Sequence, residues 1–132
     1  MKTQNARWIQ WVIAIAGAFY TFVGLTQLFA PVWFFTTIGP YPPFNRHYLG
    51  DLGAFTLPMG IALLIAARNP IQHRLFIGFV AGGSLIHSFN HLYDDLAGAA
   101  PDPVGTAVLV VFALVLIWVY FARSSSAAAQ VA

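Results

Sequence analysis

Gly105-Thr106-Ala107-Val108-Leu109-Val110-Val111-Phe112-Ala113-Leu114-Val115-Leu116-Ile117-Trp118-Val119-Tyr120-Phe121-Ala122 contains no charged residue and is built almost entirely from Val, Leu, Ile, Phe and Ala. A helix crosses the hydrocarbon of a bilayer with about 20 apolar residues. The stretch therefore predicts a transmembrane helix over 105–122, with Trp118 and Tyr120 as aromatic belt residues at its end. Its faces are the least polar in the chain, so it is expected to meet lipid over more of its surface than the others.

The rest of the sequence agrees with that reading. Of 132 residues, 59% are hydrophobic and 8% charged, and none is glutamate. Such a chain lacks the polar surface that keeps a domain of this size in water. It is also too short for a second domain of any size, so 1–132 is expected to be one membrane domain. The absence of cysteine excludes thiol–disulfide exchange, thiolate metal sites, iron–sulfur clusters and covalently attached c-type haem. The net charge of +2 comes from too few groups to indicate nucleic acid as a partner. The lipid bilayer is the partner the composition demands.

Three further spans precede the last. The first, from Trp8 to about Ala30, places Gly17, Tyr20, Gly24 and Gln27 on one face, the pattern of a close helix contact with a polar tip. Ala16-Gly17-Ala18 looks like a signal-peptide cleavage site, but the apolar run continues past it, so cleavage is not expected. Pro31 to Phe44, with Trp33, Phe34, Phe35 and Tyr41, reads as an aromatic loop at the headgroup level. The second span runs from about Asn45 to Ala67 with Pro58 at its middle, where a kink is expected. The third runs from about Ile71 to Tyr93, and Gly78, Gly82, Gly83 and Ser84 would let another helix approach closely. An acidic loop over 94–104 and a disordered tail over 123–132 complete the expected layout.

In a four-pass chain, Lys2, Arg7, Arg68, Arg74 and Arg123 fall on one side of the membrane. The positive-inside rule then places both termini in the cytoplasm of a bacterial inner membrane. The second span begins, and the third ends, on the outer side.

That orientation draws attention to His87-Ser88-Phe89-Asn90-His91-Leu92-Tyr93-Asp94-Asp95, where imidazoles and carboxylates interrupt apolar sequence. Ionisable groups at membrane depth are functional candidates by default. His87, His91, Asp94 and Ser84 share one helical face, as His47 and Asp51 do at the start of the second span. At about 1.5 Å of rise per residue, Asp51 is expected roughly 9 Å inside its helix end and the two histidines about 3 to 9 Å inside theirs. Together they predict an outer-facing pocket with His87, His91, Asp94, His47 and Asp51 as metal ligands, and Gln27, Ser84, Asn90 and Arg46 as further lining. Asp95 falls off this face and His73 lies in the opposite turn, so neither joins the set.

Nitrogen and oxygen donors of this kind suit zinc, copper, iron or manganese. Haem fits less well, because histidines at i and i+4 on one helix cannot provide the two opposite axial ligands. The zinc-protease signature is absent, since His87 is followed by Ser88 and no glutamate is available as base. Were a metal-bound water present, Asp51 or Asp94 would be the candidate base; catalytic residues are otherwise unknown. The alternatives are a metal-free pocket for a headgroup, quinone or proton relay, and a non-catalytic subunit of a membrane redox complex whose histidines only tie helices together. A homo-oligomer is a further arrangement, and a proton-coupled carrier finds no inverted repeat to support it.

The four-span layout, with His47-Tyr48-Leu49-Gly50-Asp51-Leu52-Gly53-Ala54-Phe55 opening the second span and His87, His91 and Asp94 in the third, resembles the DoxX-like bacterial membrane proteins. The resemblance implies a four-helix transmembrane bundle acting beside a redox partner. The DoxD branch of that family is similar to a subunit of a thiosulfate:quinone oxidoreductase. Thiol chemistry suggested for some members has no counterpart in a chain without cysteine, and no catalytic residue is carried over.

Overall fold

The computed structural model describes residues 4–98 and 101–128, with side chains over 7–98 and 101–122. Lys2, the Arg123 side chain and the tail over 129–132 lie outside the described residues. Five helices follow one another: α1 (Gln4–Phe29), α2 (Pro31–Thr37), α3 (Arg46–Ala66), α4 (Arg74–Ala97) and α5 (Pro103–Ala128). Among the described residues there is no strand. Stretches of 23, 21, 24 and 20 residues in α1, α3, α4 and α5 are long and apolar enough to cross a membrane. The fold is all-α, and its spans suit a multi-pass membrane protein. The chain divides into two compact units, Met1–Asn69 and Pro70–Ala132.

In the first unit α1 and α3 pack antiparallel through glycine. A Cβ on Gly17 would stand 2.8 Å from the Leu64 nitrogen and 3.0 Å from the Gly60 carbonyl oxygen. One on Gly53 would stand 3.0 Å from the Gly24 carbonyl oxygen, and one on Gly60 would be 2.6 Å from Thr21 Oγ1. Contacts this short leave no room for a side chain, so the backbones themselves touch. Tails of lipid are as apolar as leucine, so close packing has to supply the attraction that water supplies in a soluble core. Gly17 and Gly24 make this contact as the sequence predicts, and Gly53 and Gly60 answer them from α3. Around them Ile9, Ile13, Ala16, Leu49, Leu63 and Ala66 are buried. Gln10 Nε2 donates to the Arg68 carbonyl at 3.3 Å, tying the two chain segments at one end.

The aromatic loop is partly a helix. Pro31 occupies the first turn of α2, where its missing N–H costs nothing and its fixed φ favours a helix. Phe34 is buried, and Trp33 meets Phe22 of α1 edge to face with centroids 6.1 Å apart. Asn45 caps α3 by accepting from the Tyr48 N–H at 3.0 Å. The helix runs through Pro58 without interruption.

In the second unit α4 and α5 form a hairpin whose buried residues include Ile77, Val80, Ala81, Ala113, Leu116 and Val119. Gly78 accommodates the ring of Tyr120, whose Cε2 would be 2.8 Å from a Cβ there. Arg74 lies over the same ring at 4.8 Å and its Nη2 donates to Tyr120 Oη at 3.5 Å. Tyr120, expected as a belt residue, is thus also a packing residue of the hairpin.

Several boundaries differ from the expectation. α4 starts at Arg74 and continues through Asp94 and Asp95 to Ala97, so these carboxylates are helical and not part of a loop. It stops at Gly98, whose φ of 71° is the left-handed conformation that glycine adopts without a Cβ penalty. α5 begins at Pro103, and its backbone stays helical to Ala128, through most of the tail expected to be disordered.

Gly60→Ala is expected to destabilise the protein by about 1–3 kcal/mol, the cost of overpacking. Gly82→Ala, whose Cβ meets nothing within 4 Å, should leave stability unchanged or raise it slightly. Helical circular dichroism followed through denaturation in mixed micelles compares the two.

Candidate functional site

The histidine pair of α4 is built by helix geometry alone. Residues four apart stand one above the other on a helix, and the ring centroids of His87 and His91 are 4.7 Å apart. Their Nε2 atoms face each other at 3.0 Å. Two imidazole nitrogens at that separation hold one proton between them, one ring donating and the other accepting. Because α4 extends to Ala97, the pair lies deeper than expected. Counted along the axis at about 1.5 Å per residue, His91 is about 9 Å and His87 about 15 Å from the helix end.

The other predicted residues fall into smaller groups. Asp94 lies on the same helix but accepts from Asn90 Nδ2 at 3.4 Å. Ser84 is buried and donates to the Val80 carbonyl at 2.7 Å, so its hydroxyl proton is spent within the helix. Ser88, more deeply buried and not anticipated, does the same toward Ser84 at 2.8 Å. In the first unit His47 Nε2 stands 3.5 Å from Asp51 Oδ2, and both side chains are exposed. Arg46, also exposed, runs along α3 so that its guanidinium would be 3.7 Å from a Cβ on Gly50. Gln27 is buried beside Gly53, and its Oε1 has no hydrogen-bond partner among the described residues. No group of three or more His, Asp, Glu or Cys among the described residues is gathered closely enough to hold a metal ion. What α4 supplies by itself is a two-nitrogen pair.

Asp95 and Asp102, set aside as off-face and loop residues, prove to shape the end of the hairpin that carries the pair. Asp95 Oδ1 accepts from the Asp102 N–H at 2.6 Å. Asp102 Oδ1 in turn accepts from the Gly105 N–H at 3.0 Å, capping α5. An aspartate followed by proline at the first helical position is a helix-start signal, and Asp102-Pro103 carries it.

Fold and site together define a small helical membrane protein with a histidine pair inside one of its spans. The chain matches no family model, no curated protein and no solved structure.

Asp102→Ala removes the side-chain cap of α5 and keeps the backbone N–H that donates to Asp95. It should cost about 1 kcal/mol, the usual worth of an N-cap, measured as a lower midpoint in the same micellar denaturation.

Proposed function

We propose that this chain is a multi-pass membrane protein that binds a divalent transition metal through the Nε2 atoms of His87 and His91, in support of redox or transport chemistry. The observation that carries the reading is the 3.0 Å separation of the two Nε2 atoms. Metal–imidazole bonds are about 2.0–2.1 Å long, so two nitrogens on one tetrahedral ion are about 3.3–3.4 Å apart. The two nitrogens would fill two positions of such an ion with a few tenths of an ångström of opening, and its other ligands would have to come from outside the pair. Zinc, copper, iron and manganese all accept imidazole, and the donor set does not choose among them. To hold such an ion both rings would have to present an Nε2 lone pair, so the proton shared between them would move to Nδ1 of the donating ring. A bound metal would supply Lewis acidity, or electron transfer if it is redox-active, and its remaining positions would be open to water or a small ligand.

Placing an imidazole pair inside a span supports the reading, because a polar side chain there is expensive without a partner or a task. If the resemblance of His47–Phe55 to the DoxX-like proteins reflects kinship, the chain would act beside a redox partner in a bacterial inner membrane. Arg7 opens the first span, while Arg68 and Arg74 flank the turn between α3 and α4. This arrangement favours cytoplasmic termini, with α2 and the C-terminal end of α4 toward the outside.

His87→Ala and His91→Ala should each abolish stoichiometric zinc while retaining the helical spectrum of the parent. Elemental analysis on untagged protein, reloaded with zinc and desalted, makes the comparison; full metal occupancy in both variants refutes the assignment. For orientation, the absence of native cysteine permits single-cysteine labelling. Tyr41→Cys should react with a membrane-impermeant maleimide added outside intact cells and Asn69→Cys should not, whereas the opposite pattern inverts the topology.

A further inference from the structure

Charge in the first unit is sorted to its two ends. Its one acidic residue, Asp51, lies in the second turn of α3 beside His47. At the opposite end stand Arg7, which opens the apolar stretch of α1, and Arg68, two residues beyond the end of α3 at Ala66. Both side chains are exposed, and among the described residues neither guanidinium has an ion pair or a hydrogen bond. Arg74, by contrast, lies over the ring of Tyr120 and donates to its hydroxyl. A guanidinium stays charged at any physiological pH, so the pair at this end calls for an anion that the unit itself does not place there.

Gln10 brings the two arginines to one place. Its Nε2 donates to the Arg68 carbonyl at 3.3 Å, which fixes the chain leaving α3 against the second turn of α1. Arg7 precedes Gln10 by three residues, so it stands on the same flank of the helix, about 4.5 Å nearer its end. The two stems therefore start less than a turn apart in height, and both are long enough to swing their forks onto one group. Below Arg7, at intervals of four, come Trp11 and Ile15, which are 68% and 65% exposed. An indole just inside a cationic helix end is the arrangement of the headgroup level, and the apolar track continues from it into the span.

We infer that Arg7 and Arg68 together hold the phosphate of an anionic phospholipid, with an acyl chain lying along Trp11 and Ile15. Arginine forks match phosphate oxygens two at a time, and basic pockets at helix ends are where membrane proteins take anionic headgroups. A free phosphate would use the two cations and leave the apolar track beneath them idle; a lipid uses both. The site is independent of the histidine pair, and it holds whichever side of the membrane this end faces. It also asks more of the arginines than orientation of the chain, because a diffuse preference for one side counts every basic residue alike, whereas a held headgroup singles out these two.

Native mass spectrometry of the full-length, untagged protein in detergent tests this, with phosphatidylglycerol and phosphatidylethanolamine of the same acyl chains titrated separately. The parent should bind phosphatidylglycerol the more tightly. Arg7→Gln and Arg68→Gln should each weaken that binding about fivefold, the weight of one basic residue at an anionic surface. Both side chains are exposed and unpaired, so the helical spectrum should stay that of the parent. Arg46→Gln and Arg74→Gln, which remove the same charge elsewhere, should bind as the parent does. Undiminished phosphatidylglycerol binding in Arg7→Gln and Arg68→Gln overturns the inference, as does equal affinity of the parent for the two lipids. Weakening by Arg74→Gln to the same extent would show a diffuse attraction in place of a held headgroup. Displacement of the lipid by inorganic phosphate would show a free-anion site, and either result defeats the lipid assignment.

Discussion

Inside hydrocarbon there is no water to accept a stray backbone hydrogen bond, and every N–H and C=O has to be answered within the protein. Helices do this over their length, which is why the chain is helical wherever it is apolar. Their ends are where the requirement becomes specific. Asn45 answers the Tyr48 N–H, Asp102 answers Gly105, and Gly98 turns its own N–H back to the Asp94 carbonyl. Serine and threonine hydroxyls, which face the same shortage of partners, fold back onto their own helices. Among the described residues, the buried oxygens of Gln27 and Thr106 are left without such a partner.

Satisfied helices still have no hydrophobic reason to associate in lipid, so what holds them is contact. The two units meet this need differently. Between α1 and α3 the side chains are removed, and glycines at 17, 24, 53 and 60 let the backbones touch. Between α4 and α5 one glycine, Gly78, makes a seat for an aromatic ring, and Arg74 covers that ring with its charge. A cation over an aromatic face contributes roughly 0.5–2 kcal/mol depending on how far it is desolvated. The first contact is spread along the helices; the second is concentrated near one end. At the other end of that hairpin the link from Asp95 to Asp102 sets the register.

That register connects the fold to the histidine pair. The position of His87 and His91 relative to each other is a property of one helix and would survive in any packing. Their depth and their surroundings are not. α4 continues a turn beyond the expected end because nothing in Asp94-Asp95-Leu96-Ala97 breaks a helix, and it halts where Gly98 can take a positive φ. The extension carries the pair further from the helix end and brings Asp95 within reach of the loop. Asp95 and Asp102, read from the sequence as residues of an acidic loop, thereby become the clasp of the hairpin.

Composition and hydropathy alone determined the class of the protein and the four spans, because burial of an apolar run in lipid depends on little besides its length. Helical periodicity likewise determined that His87 pairs with His91, that His47 lies beside Asp51, and that Gly17 and Gly24 form a contact face. Capping signals at Gly98 and Asp102-Pro103 were present in the sequence, but they mark helix ends to a residue only when the neighbouring chain agrees. The tertiary structure decided what depends on two segments meeting: Gly53 and Gly60 as the answering surface, Tyr120 seated on Gly78, Asp95 bonded to Asp102, and Thr106 buried without a partner. None of these follows from local pattern, since each requires knowing which residue of one helix stands opposite which residue of another. That alignment is set by the packing of whole faces and by the loop that joins them.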